Sequence, residues 1–168
     1  MTKPYIRLDK DNAAVLLVDH QTGLLSLVRD IDPDKFKNNV LALSDMANYF
    51  KLPTILTTSF ETGPNGPLVP ELKELFPDAP YIARPGQINA WDNEEFVAAV
   101  KATGKKQLLI AGVVTEVCVA FPTLSALAEI ERVQPPSMTR TVNLLQDQGL
   151  VVRVPHATDG RITHVRLT

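Results

Sequence analysis

The 168 residues include one cysteine, Cys118, in the stretch GVVTEVCV (112–119). A thiolate is a strong nucleophile, and the surrounding residues suggest how one would form. Thr115 is placed to cap a helix whose first turn holds the thiol, and helix N-terminal amides together with a nearby cation favour thiolate over thiol. Two more side chains complete a possible set. Asp19 ends the apolar run AAVLLVD (13–19), and Arg84 closes APYIAR (79–84). A carboxylate can take the thiol proton and later activate water. A guanidinium stays charged, so it can anchor a substrate or a thiolate but cannot shuttle a proton. Each residue also has an inert explanation: a lone cysteine packs in cores as a small hydrophobe, and an aspartate at a strand end caps the following helix.

Only a fold can bring residues so far apart in sequence to one place. AAVLLVD is continuously apolar and β-branched, which predicts a strand buried on both faces, as in a parallel sheet. DPDKFKNNVLALSDMANYFK (32–51) has an Asp cap, an early Pro and apolar residues at helical spacing, so it predicts a helix. LPTILTTSF (52–60) is a second strand, ETGPNGPLVP a Gly/Pro loop, and ELKELF a short helix. A third strand lies in 79–86, a helix with acids in its first turn and Gly at its end in 92–104, and a fourth strand in 105–115. This alternation implies an α/β fold with a parallel, Rossmann-like sheet and right-handed crossovers. Functional groups then belong beyond the carboxyl ends of the strands, where Asp19, Arg84 and Cys118 all fall.

VLLVDHQTGLL, YIARPGQINAWDNEEF and IAGVVTEVCVAFPTLSAL together resemble the isochorismatase-like cysteine hydrolases, most closely their YcaC-like branch, over about residues 5–128. The resemblance implies a triad of Asp19, Arg84 and Cys118, with Arg84 where the family more often has Lys. It also implies a non-proline cis bond at Val113–Val114 and an oxyanion hole made by the Val114 and Cys118 amides. The implied reaction is hydrolysis of a small amide or related carbonyl compound through a thioester, with a small-molecule substrate and a homo-oligomeric assembly. Asn89 and Trp91 are candidates for the pocket wall, and core packing accounts for them equally well. The nicotinamidase branch binds metal through a carboxylate and two histidines. The equivalent TTSFETG here has no His, and His20, His156 and His164 lack ligand spacing, so neither metal nor other cofactor is expected. The family's last two strands have no counterpart, which leaves a truncated sheet with its fourth strand at an edge.

A net charge of −2 gives no overall attraction to nucleic acid or membrane. No run approaches the roughly 20 apolar residues of a membrane span. A single cysteine cannot form an internal disulfide, so the expected compartment is the cytoplasm. These averages conceal a division: all ten aromatics lie at or before Phe121, and residues 129–168 contain five Arg and no Lys.

In that last part PPSMTRTVNLLQDQG (135–149) reads as a helix closing on Gly149. LVVRV and RITHVRLT read as a β-hairpin with an Asp-Gly in its turn. Residues 124–168 are similar to the winged helix-turn-helix of MarR-type regulators. That resemblance implies a partial winged helix in which Ser137, Thr139 and Arg140 face the major groove and Arg161 the minor groove. DNA is then a partner under this alternative reading, with the first part as scaffold. The expected organisation is a hydrolase domain over 1–129 and a partial winged helix over 130–168. Both resemblances meet within LSALAE (124–129), the pattern of a chimera or composite of two parents.

Overall fold

The computed structural model describes residues 6–130, 146, 147, 149, 151–155 and 163–167. Contacts divide the chain into Met1–Ser125 and Ala126–Thr168.

The first unit is built on a four-stranded parallel sheet. β1 (Ala13–Val18) lies between β2 (Thr54–Ser59) and β4 (Gln107–Gly112), and β3 (Tyr81–Arg84) flanks β2. Leu16 aligns with Ile55 on one side and with Ile110 on the other. All six β1 residues are buried, which is why the strand carries no alternating polar face. Its side chains instead divide by parity. Val15 and Leu17 pack with Val40, Ala47, Leu56 and Leu72 on one face. Leu16 and Val18 pack with Ile55, Ile82, Phe96 and Val100 on the other. Each such side chain, fully buried, contributes about 1.5–3 kcal/mol.

Between the strands run α1 (Thr22–Leu25), α2 (Pro33–Tyr49), α3 (Pro70–Leu75) and α4 (Glu94–Ala102). The long α2 starts where the sequence indicates: Asp32 accepts from the Lys35 amide at 2.9 Å, and Pro33 opens the first turn. Asn93 caps α4 in the same way through the Phe96 amide, also at 2.9 Å.

The two outer strands differ. β3 has four residues and is bracketed by Pro80 and Pro85. β4 has six half-buried residues with neither charge nor proline, and among the described residues it pairs only with β1. The Lys106 amide bonds to the Asn12 carbonyl at 3.2 Å. By the two-residue alternation of strand backbones, the peptide groups of Gln107, Leu109 and Ala111 therefore point away from β1.

Past β4 the chain makes one wide π-turn, Thr115–Val119, and continues as α5 (Ala120–Ile130), which contains LSALAE. In the second unit Gln146 and Asp147 are helical. Gly149 ends that helix at φ 69°, its amide donating to the Gln146 carbonyl at 2.9 Å. β5 (Val151–Pro155) pairs antiparallel with β6 (Thr163–Leu167), Val151 opposite Leu167. The expected hairpin is thus formed in its strands, while its Asp-Gly turn, together with Ser137, Thr139, Arg140 and Arg161, lies outside the described residues. No described helix is long and apolar enough to cross a membrane.

Candidate active site

Asp19, Arg84 and Cys118 come together beyond the carboxyl ends of β1, β3 and β4. Asp19 takes a left-handed backbone conformation (φ 56°) directly after β1, and its amide is held by the Thr57 carbonyl at 2.9 Å. Phe60 does the same directly after β2, at φ 50°. Asp is one of the few non-glycine types that visit this region readily; a phenylalanine there is held by its surroundings.

The Asp19 carboxylate forms a buried ion pair with the Arg84 guanidinium. Arg84 is also tied on its other sides. Its Nε donates to Thr57 Oγ1 at 3.0 Å, and its Nη1 donates to the Gln87 carbonyl. Thr57 Oγ1 in turn donates to the Ile82 carbonyl at 2.8 Å. The guanidinium is thus consumed by the protein, at 1 % exposure, and it does not line the cavity described below. The anchoring it provides acts on Asp19.

Cys118 sits in the π-turn, 5 % exposed. Its approach to the sheet depends on Gly112: a Cβ there would lie 2.9 Å from the Val18 carbonyl oxygen and 3.3 Å from Cys118 Cβ. Two expectations about this turn are corrected. The N-cap position is Val114, and Thr115 is already inside the turn and makes no side-chain cap. The thiol is also not activated at rest: its pKa is pushed up to about 12. Burial is the largest cause, followed by the charge of Asp19 and its hydrogen bond to the thiol. The Val114 backbone and Arg84 pull the other way and lose. The inferred cation is present, but Asp19 stands in front of it.

The cis bond expected at Val113–Val114 is also corrected. No cis peptide occurs among the described residues, and trans is the ground state for non-proline bonds. The Cys118 amide donates to the Val114 carbonyl at 2.8 Å, so it is engaged inside the turn. The Val114 backbone amide is engaged by the Cys118 sulfur, the hydrogen bond that pulls the thiol pKa down.

Asp19 and Cys118 open into a cavity of about 260 Å3, completed by Ser59, Asn65 and the apolar Leu24, Ile88, Val114 and Val117. A larger cleft of about 490 Å3 opens at the amino ends of β2 and β3, and none of Asp19, Arg84 and Cys118 lines it. Asn89 and Trp91 line neither. Asn89 caps a short 3-10 turn through the Trp91 amide (3.1 Å) and donates to Asp92 and Ser125, each at 3.0 Å. Trp91 packs edge-on against Phe96 with ring centroids 6.1 Å apart. The core explanation is the one the structure gives them.

Three residues of the region escaped the sequence reading. Gln21 is fully buried: its Nε2 donates to the Ser59 carbonyl (3.0 Å) and to Gly66, and its Oε1 accepts from the Ser59 amide (2.9 Å). This staples the loop after β2 to the end of β1 and positions the other two, Ser59 and Asn65. Its only sequence signal was a polar residue two positions after Asp19. His20 is buried, and neither ring nitrogen has a hydrogen-bond partner among the described residues. Burial lowers its pKa to about 4, so it stays neutral at pH 7. Among the described residues no group of three or more His, Cys, Asp or Glu is arranged to hold a metal ion.

Known proteins resemble this chain in two overlapping stretches. Residues 13–129 match the isochorismatase domain, and residues 117–162 match the MarR family, so the two matches overlap in the π-turn and α5. Over 129 residues the chain is 85 % identical to the Escherichia coli (strain K12) protein named probable hydrolase YcaC, covering 77 % of this chain and 62 % of that one. The chain therefore spans about three-fifths of that relative's length. The crystal structure of E. coli YcaC, described as an octameric hydrolase of unknown specificity, superposes with a TM-score of 0.74, covering 76 % of this chain and 63 % of that one. YcaC from Pseudomonas aeruginosa, solved with hexane-2,5-diol and covalent acrylamide, superposes equally well at 80 % identity and with the same coverage. An uncharacterized HTH-type transcriptional regulator of Mycobacterium bovis is 59 % identical over 39 residues, 23 % of this chain and 27 % of that one. A buried Asp–Arg pair facing a cysteine at the strand ends, on this sheet and with this match over residues 13–129, identifies the chain as a member of the isochorismatase family.

Proposed function

We propose that the chain is a cysteine hydrolase acting on a small amide or related carbonyl compound. The observation carrying this reading is the cavity in which the Cys118 thiol meets an Asp19 carboxylate held by Arg84. A thiol with a raised pKa needs a base at the moment of attack, and Asp19 is in contact to serve as one. As Cys118 Sγ bonds to the substrate carbonyl carbon, its proton passes to Asp19. Collapse of the tetrahedral adduct breaks the C–N bond, and the leaving nitrogen takes that proton. Water then attacks the thioester and gives a proton to Asp19. The C–S bond breaks, the acid departs, and the sulfur is reprotonated. Arg84 fixes the carboxylate through both halves, and the Val114 amide, which bonds the sulfur at rest, can pass to the developing oxyanion as the bond to sulfur forms. Acrylamide adds to nucleophiles, so its covalent capture by the P. aeruginosa relative supports this reading. The octameric E. coli relative supports a homo-oligomer. A reducing cytoplasm suits a thiol enzyme.

Ammonia release from propionamide by the whole chain tests the proposal. Release should disappear in Cys118→Ala, and release unchanged in that variant would overturn it. A second reading, that the chain binds DNA through Ser137, Thr139, Arg140 and Arg161, rests on the MarR match. Mobility shift at low salt checks it: the reading requires retardation that weakens in Arg140→Ala and Arg161→Ala, and absence of any shift refutes it.

A further inference from the structure

The polar groups around the cavity are unequal in kind. Asn65 Nδ2 donates to the Ser59 carbonyl at 2.9 Å. A carbonyl only accepts, so this bond fixes which end of the amide is which and leaves Oδ1, together with the second Nδ2 hydrogen, uncommitted. Oδ1 has no partner among the described residues. Ser59 Oγ lies 3.3 Å from the Gln87 carbonyl and donates to it, and the Ser59 amide is taken by Gln21. Apart from the second Nδ2 hydrogen of Asn65, what these two residues can still offer is acceptors. Asp19 adds another, and its cation, Arg84, is spent inside the protein. The rest of the lining is apolar, and no lysine or free arginine faces the space.

The geometry points to Asn65 as a specificity-determining residue: we propose that its Oδ1 accepts an N–H from the substrate, so that the site selects neutral, N–H-bearing carbonyl compounds of short aliphatic type. This inference rests on the hydrolase reading above and narrows it. Esters of the same shape leave Oδ1 unpaired in a cavity with few other polar partners. Carboxylates meet Asp19 with no compensating cation. The wall is fixed before any substrate arrives. The Gly23 amide holds the Asn65 carbonyl at 2.9 Å, and Gln21 clamps the loop at Ser59 and Gly66. Asn65 is therefore held in place for recognition.

Alkylation of Cys118 in the whole chain is followed by mass spectrometry with four electrophiles: acrylamide, N,N-dimethylacrylamide, methyl acrylate and acrylate. Each rate is divided by that of a small free thiol at the same pH. The wild-type protein should favour acrylamide over methyl acrylate and N,N-dimethylacrylamide by about 10- to 100-fold, the discrimination expected when a site's polar group goes unpaired. Acrylate should be slowest. Asn65→Leu should bring acrylamide and methyl acrylate to within about threefold of each other while Cys118 still reacts. Equal normalised rates in the wild type overturn the inference, and so does a variant that slows both probes alike. The dimethylated probe asks the same question with no mutation, so a variant that fails to fold does not remove the test. Absence of Cys118 alkylation by every probe would instead overturn the hydrolase reading, which separates the two failures.

Discussion

Replacing Asp19 with asparagine should raise the nucleophilicity of Cys118 while abolishing turnover. The substitution keeps the shape and suits the backbone, because asparagine tolerates φ near 56° as well as aspartate does. The thiol pKa of about 12 stands three units above its ordinary 9. At pH 8 the thiolate fraction is therefore about 10⁻⁴, against about 10⁻¹ for an unperturbed thiol of that kind. Burial, the largest cause, survives the change, whereas the charge and the thiol hydrogen bond of Asp19 do not. Losing them should lower the pKa by about one unit, roughly tenfold in thiolate, and Arg84 then faces the sulfur as its nearest anion. The assay is the rate of alkylation by iodoacetamide, which needs no general base, measured from pH 7 to 9, where both thiols lie below their pKa and the rate follows the thiolate fraction. That rate should rise about tenfold in Asp19→Asn, while amide hydrolysis falls about 10²- to 10⁴-fold for want of the base. The variant should also lose about 3–5 kcal/mol, since a buried guanidinium has lost its carboxylate, so both assays belong at low temperature with the fold checked. An unchanged alkylation rate, or alkylation slowing in step with hydrolysis, would refute the account of why the thiol is protonated at rest.

Other outcomes follow from named features. His20 is neutral when folded, with its pKa lowered to about 4 from 6.5 by burial. The unfolded chain therefore takes up the proton first as pH falls. Stability from this residue is complete above 6.5 and is lost toward pH 4, by about 3 kcal/mol. Urea midpoints at pH 7 and 4.5 should differ less in His20→Leu than in the wild type, and equal differences would refute the assignment. In Gly23→Ala the added Cβ would lie 2.0 Å from the Pro64 carbonyl oxygen and 2.7 Å from that of Asn65. That variant should lose at least 1–3 kcal/mol in thermal denaturation and lose the acrylamide preference with the displaced loop. Asp32→Ala removes the cap of α2 and should cost about 1 kcal/mol without altering Cys118 alkylation, because the helix start lies away from the cavity.

Most of the sheet was legible because burial on both faces leaves a strong mark: AAVLLV has no room for polar alternation, and β1, like β2, is flanked by a strand on either side. The strand-end rule then placed Asp19, Arg84 and Cys118 together without knowledge of any side-chain contact. What it could not supply was the balance of forces there. The sign of the Cys118 shift depends on whether burial and Asp19 outweigh Arg84, a contest of distances that no spacing encodes. The left-handed residues after β1 and β2 carry no glycine to announce them. Gln21 looked like a loop residue because its three partners lie 38 to 45 positions away. Asn89 and Trp91, adjacent in sequence to a triad strand, were drawn off by a capping turn and by Phe96.

The outward-facing peptide groups of β4 bear on how the chain behaves at high concentration. An uncharged outer strand whose outward amides and carbonyls have no strand partner among the described residues is a template for another strand, and here it lacks the prolines that shield β3. Encounters of this kind grow with the square of concentration. The nearest electrostatic restraint is Lys105 and Lys106 at one end of the strand, whose repulsion fades within about 8 Å at physiological ionic strength. Solubility of the chain should thus decline as salt is raised, the reverse of the salting-in that a net-charged surface would suggest.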